Sequence, residues 1–111
     1  MDTKPVTFTV RTQCPPQYAE MFNKWYDETH VPLLMKFKGI KRAARYQRVS
    51  ENGEHLEFLA TYEFESEPVF KEFWDSPERA VVLEERLAAW KDKPFEIKAV
   101  VTYKLLKSWA R

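Results

Sequence analysis

Glycine is nearly missing from this chain: there are two in 111 residues, Gly39 and Gly53. A GxGxxG turn or a Walker loop cannot be built from them, which excludes a nucleotide site on a glycine-rich turn. Cysteine is scarcer still. Cys14 stands alone, so no intrachain disulfide can form. It lies beside Pro15 and Pro16 with no base nearby, and no serine occupies a G-x-S-x-G elbow. Two histidines and one cysteine, far apart, match no zinc spacing, so no metal and no cofactor is expected. An excess of one charge is also absent, with 18 Lys and Arg against 17 Asp and Glu. Nucleic-acid binding needs a basic surplus to neutralise phosphates and is not expected. Apolar runs extend over a few residues, too short to span a bilayer, and no polybasic block suggests a membrane surface. Met1 to Pro5 lack the apolar segment of a signal peptide, so the cytoplasm is the expected location.

What the chain has is aromatic side chains: 4 Trp, 5 Tyr and 8 Phe. Residues 1–111 are enough for a single domain with a packed core, and some of these rings can line a cavity rather than fill it. Val6 to Arg11 alternate strictly, with Val6, Phe8 and Val10 on one face, which predicts a half-buried strand. Cys14-Pro15-Pro16 stops it and opens a helix. From Gln17 the period becomes helical: Ala19, Phe22, Tyr26, His30 and Leu33 share a face. A kink or an end is expected near Val31-Pro32, because proline removes a hydrogen bond and disfavours α at the residue before it. Gly39 is a helix terminator.

Ile40 to Val49 reads as a second strand with Ile40, Arg42, Ala44, Tyr46 and Arg48 on one face. Asn52-Gly53 is a hairpin signal, and His55 to Glu65 answers with Leu56, Phe58, Ala60, Tyr62 and Phe64 facing the core. Pro68 opens a further helix, which Ser76-Pro77 restarts and Lys93-Pro94 ends. Phe95 to Leu106 is the last strand, with Phe95, Ile97, Ala99, Val101, Tyr103 and Leu105 on one side. The order β-α-β-β-α-β predicts a ferredoxin-like α+β fold: a four-stranded antiparallel sheet with two helical segments on one face. The other sheet face would mix Thr7, Thr9, Ala43, Leu59, Thr61, Val100, Thr102 and Leu106 with charges. That is more apolar than a wet face requires. Either a second copy covers it or a monomer carries scattered surface apolars.

The run Phe22-Asn23-Lys24-Trp25-Tyr26-Asp27-Glu28-Thr29-His30-Val31-Pro32-Leu33-Leu34 is followed by Phe37-Lys38-Gly39-Ile40 and Ala44-Arg45-Tyr46. It resembles the first half of dimeric α+β barrel proteins, closest to the EthD-like group and related small proteins of that superfamily. Phe58 to Glu65, Phe73 and Ser76-Pro77-Glu78 also fit. The resemblance implies a homodimer closed through the open sheet face, with a small-molecule pocket between helices and sheet in each subunit. The matching positions are Asn23, Trp25 or Tyr26, His30 and Pro32. The superfamily spans monooxygenases, isomerases, cyclases, dehydratases, haem-degrading enzymes and stress proteins, so fold alone does not choose a reaction.

His30 is the first candidate, as a general acid/base in the pocket mouth, since an imidazole titrates near neutral pH. The same position also suits a core histidine bonded to a carbonyl freed by Pro32. Tyr26, one turn earlier, would donate to a developing oxyanion, and Asn23 would orient a ligand carbonyl; both also suit ordinary structural roles. Tyr62 and Tyr103 point to the helix side, where they either converge with His30 on a polar spot or serve as core tyrosines reaching the surface; Trp74 and Trp90 either cap the pocket or, by default, fill the core of the second helix, and Trp25 is a further candidate for the ligand wall. Arg42, Tyr46 and Arg48 lie on a helix-facing register as ligand-binding candidates; an arginine there would either hold a carboxylate or enolate or pair with Glu at an edge and reach out to water. Asp27 and Glu28 read as solvated helix surface. Two functions follow. One is a cofactor-independent enzyme moving protons on a small hydrophobic, aromatic or polyketide-like molecule, of isomerase, cyclase, dehydratase or monooxygenase type. The other is a non-catalytic dimer that binds a small ligand or acts as a stress-type structural protein.

Overall fold

A computed structural model describes residues 4–50, 53–91 and 95–111 of the chain. Four strands, β1 (Val6–Cys14), β2 (Ile40–Gln47), β3 (Leu56–Phe64) and β4 (Glu96–Lys104), form one sheet in the order β2-β3-β1-β4. All three pairings are antiparallel, and helices follow β1 and β3, which is the ferredoxin-like arrangement. Strand β1 runs further than its opening alternation because Thr12 and Cys14 continue the inward series, both buried, until Pro15 removes the next donor. Gly53 has φ 91°, which glycine adopts without strain. Its partner in the hairpin signal, Asn52, and the helix stop at Lys93-Pro94 lie outside the described residues.

The helical stretch after β1 does not break at Val31-Pro32. It passes from a 3-10 turn (Pro16–Tyr18) through α1 (Ala19–Trp25) and a π turn (Tyr26–His30) into α2 (Val31–Leu34). The Val31 N–H donates to the Tyr26 carbonyl, five residues back. Pro32 has no N–H and its ring crowds the carbonyl four residues earlier; the widened ladder accommodates it without ending the helix. Such π turns are frequent at functional sites. Gly39 follows for a steric reason: a Cβ there would overlap Val69 Cγ1 and the Phe37 ring. Helices α3 (Glu67–Trp74) and α4 (Pro77–Ala89) each begin on a serine. Ser66 Oγ accepts from the Val69 N–H and Ser76 Oγ from the Arg79 N–H.

One-residue bulges decide which side chains of the two outer strands face the helices. In β2 the register with β3 slips between Ile40 and Arg42, so Ala43, Arg45 and Gln47 lie opposite the inward residues Tyr62, Ala60 and Phe58. In β4 the register slips at Lys98, so Ile97 pairs with Thr12 but Val100 with Val10 and Thr102 with Phe8. A slip of one residue moves every later side chain to the opposite face. The expected faces are therefore corrected. Arg42, Ala44 and Tyr46 point to the open face, as do Val101 and Tyr103, whereas Ala43, Val100 and Thr102 turn toward the helices.

The core is densest beneath α1 and the π turn. The Phe22 side chain, fully buried, meets the rings of Tyr26, Phe58, Trp90 and Phe95 at 5.2 to 5.6 Å between centroids. A second cluster joins Phe37, Phe64, Phe70 and Phe73. Over β4 the packing thins: every β4 residue except Ala99 is exposed.

Candidate functional site

The thin packing leaves a cavity of about 270 Å³ between the inward faces of β1 and β4 and the helical layer. An engineered apolar cavity of about 150 Å³ takes up benzene, so this one has room for a fused pair of rings. Its wall is mostly apolar, with Phe8, Val10, Phe73, Val82, Leu83 and Val100 among the lining side chains. The polar contribution is narrow: Thr12, Tyr26, His30 and Tyr62, with Arg79 and Arg86 from α4. No carboxylate lines the cavity among the described residues.

His30 is the last residue of the π turn and is 7% exposed. Its ring stacks on Trp25 at 4.7 Å and meets Tyr26 edge-on at 4.7 Å. Its Nδ1 is buried with no hydrogen-bond partner among the described residues, so it makes no bond there to a carbonyl freed by Pro32. Burial, helped by the charges of Arg86 and Arg45, lowers its pKa from the ordinary 6.5 to about 4. At neutral pH the imidazole is uncharged, with one nitrogen able to accept a proton and the other to donate one.

Tyr62 comes up from the middle of β3, 2% exposed, and its hydroxyl is likewise buried without a well-formed hydrogen bond. Burial pushes the Tyr26 phenol above its ordinary range and the Tyr62 phenol well above it. Both therefore stay protonated at neutral pH and can only be hydrogen-bond donors or neutral acceptors. Buried polar groups nearly always find partners. The Tyr62 hydroxyl has that of Tyr26 beside it, whereas His30 Nδ1 is left on the cavity wall with room for a guest that bonds to it.

Not every expected site residue reaches this cavity. Trp25 does, its Nε1 donating to Glu85 at 2.9 Å, which fixes the indole plane against His30. Trp74 does, with Arg79 stacked 3.9 Å from its ring centre. Asn23 does not: its Oδ1 accepts from Arg45 Nη2 at 2.8 Å, away from the cavity wall. Arg42 and Tyr46 are carried to the open face by the β2 bulge, and Tyr103, 58% exposed, by the β4 bulge. What the bulge turns inward instead is Arg45. Its guanidinium bonds to Asn23 and Asp27 and lies 4.4 Å from the centre of the Tyr26 ring. It ties β2 to the first helix and adds positive charge behind His30 and Tyr26.

Arg79 and Arg86 were not expected in the site. The signal was present in α4, where Arg79, Val82, Leu83, Arg86 and Trp90 follow helical spacing on one stripe. A charged residue on such a stripe reads by default as a solvated edge. Among the described residues no three His, Cys, Asp or Glu side chains gather as a metal site, and no helix is long and apolar enough to cross a membrane.

Solved structures share this fold at low sequence identity. The hydroxynitrile lyase of Passiflora edulis superposes with a TM-score of 0.70 at 13% identity, over 97% of this chain and 99% of its own. An EthD family protein of Bacillus halodurans gives 0.67 at 10% identity, over 91% and 99%. A dimeric ferredoxin-like protein from an uncultured marine organism gives 0.66 at 14% identity, over 96% and 99%. No protein of curated function matches the sequence. At these identities the likeness establishes the α+β fold and leaves the chemistry to the site. The sequence itself matches one family model over residues 5–107, and on that match the chain belongs to the domain of unknown function family DUF4286.

Proposed function

We propose that the cavity binds a small, largely apolar organic molecule and that neutral His30 moves a proton to or from it. No cofactor is required for this chemistry. The observation that carries the reading is the buried, unpartnered His30 Nδ1 on the wall of a mostly apolar cavity. An imidazole held uncharged in a dry wall keeps a lone pair free to accept a proton at neutral pH. Tyr26 and Tyr62, kept protonated by burial, would donate to the oxyanion that proton removal creates. Asn23 acts at one remove, holding Arg45. Folds of this kind include a hydroxynitrile lyase, which accords with a small-molecule reading.

A carrier is the second reading, and one observation favours it. Catalytic histidines are usually oriented by a third group, yet His30 Nδ1 has none among the described residues. The two readings separate in a His30→Gln variant assayed on aromatic and polyketide-like substrates. An enzyme loses turnover on every active substrate and keeps its affinity. Turnover that survives the substitution removes His30 from the mechanism.

We also propose that the chain pairs with a second copy through the open sheet face. Thr7, Thr9, Tyr46, Leu59, Val101 and Tyr103 make that face more apolar than water requires, and a neighbour of the same fold is described as dimeric. Light scattering on the eluting protein should give twice the 13.3 kDa chain mass; a species of 13.3 kDa at micromolar concentration would rule the pairing out.

A further inference from the structure

The guanidinium groups of Arg79 and Arg86 line the cavity and that of Arg45 lies behind the Tyr26 ring, and the three differ in what they are already bonded to. Arg45 is engaged by Asn23 and Asp27. Arg79 lies on the Trp74 ring and donates to the Trp74 carbonyl at 3.2 Å. Arg86 is half-buried on the cavity wall; its carbonyl accepts from the Trp90 N–H, but its guanidinium has no ion pair or hydrogen bond among the described residues. Its neighbour Glu85 is turned away to the Trp25 indole. No carboxylate of the described residues lines the cavity. A half-buried cation without a counter-charge is an incomplete arrangement.

We propose that the guest is an organic acid: a flat apolar body carrying one carboxylate that pairs with Arg86. The inference rests on the small-molecule reading above and narrows its substrate class. A guanidinium presents a planar fork that matches a carboxylate with two parallel hydrogen bonds. The apolar body would lie along Phe8, Val10 and Val82, with one edge against the stacked Trp25 and His30 rings. The unpaired His30 Nδ1 would meet a polar atom of the guest. Positive charge from Arg86 and Arg45 favours an anion there and disfavours a cation of the same shape.

The probes are 1-naphthoate and its neutral amide, 1-naphthamide, titrated calorimetrically into the full chain at neutral pH. The wild-type protein should bind the acid on the order of tenfold or more tightly than the amide, as a charge-assisted pair requires. Arg86→Gln should bring the two affinities together while leaving that of the amide unchanged. Arg79→Gln should keep the preference. Equal affinities in the wild-type protein, or a preference that survives Arg86→Gln, would overturn the anionic guest while binding of the amide still upheld the cavity. Failure of both compounds to bind would overturn both readings.

Discussion

At the β2 edge Ile40 is buried and Arg45 lies beneath the first helix, bonded to Asn23 and Asp27. At the β4 edge Ile97 and Val100 also turn toward the helices, yet they remain 40% and 49% exposed. The same helical layer thus closes one edge of the sheet and leaves the other open. The cause is where the large rings sit. Phe22, Tyr26 and Phe58 draw the first helix onto β3 and β2, and nothing of that bulk rises from β4. The cavity is the space the layer does not cover, and the π turn places His30 at its boundary. The close-packed rings and the cavity therefore lie at opposite edges of one sheet.

The largest test of that contrast is a pair of truncations followed by chemical denaturation. Phe22→Ala, on the closed side, should cost about 3–5 kcal/mol, the usual range for a fully buried phenylalanine. Val100→Ala, on the open side, should cost less than about 1 kcal/mol. Comparable losses would mean that the two edges are packed alike.

A somewhat smaller effect separates the edges by pH. The folded protein holds His30 uncharged down to about pH 4, whereas the unfolded chain takes up the proton near the ordinary 6.5. Between those values the unfolded state binds more protons, so stability falls as the pH is lowered through this window. The His30 contribution to that loss is on the order of 3 kcal/mol, complete near pH 4. Denaturation of His30→Gln across the same range should show a correspondingly shallower decline. An unchanged slope would mean that His30 is not held neutral by burial.

The smallest effect concerns α4, the helix that brings Arg79 and Arg86 to the open side. Ser76→Ala removes the acceptor for the Arg79 N–H and should cost about 1 kcal/mol. Loss of ligand affinity in this variant beyond the loss in stability would show that the cap also sets the position of Arg86.

The sequence made the central parts of the fold legible. Strand β3 alternates cleanly, β1 does so from Val6, and Ser76-Pro77 marks a helix start by its side-chain chemistry. The His30 and Tyr26 pair was legible too, because helical spacing alone brings residues four apart together. The outer strands were not. Lys41 and Lys98 are ordinary strand-edge residues, and nothing in them announces a bulge, yet each reverses the faces that follow. That reversal sent Arg42, Tyr46 and Tyr103 to the open face and brought Arg45 inward. Pro32 was legible as a disturbance but not in its form, since a proline can end, kink or widen a helix and neighbouring packing decides which. Arg86 was hidden for a different reason. Its spacing places it on the apolar stripe of α4, and only the cavity wall assembled from distant strands, which carries no carboxylate among the described residues, shows that its guanidinium lacks a counter-charge.

The central claim is that the open edge is a binding cavity with His30 on its wall, and the four tryptophans test it within one spectrum. Trp25 and Trp74 line the cavity, while Trp109 is 80% exposed in the C-terminal tail. Titration of the ¹⁵N-labelled protein with 1-naphthol should shift the indole resonances of Trp25 and Trp74 in a saturable way and leave that of Trp109 in place. Saturation without movement of Trp25, or a shift confined to Trp109, would contradict the account.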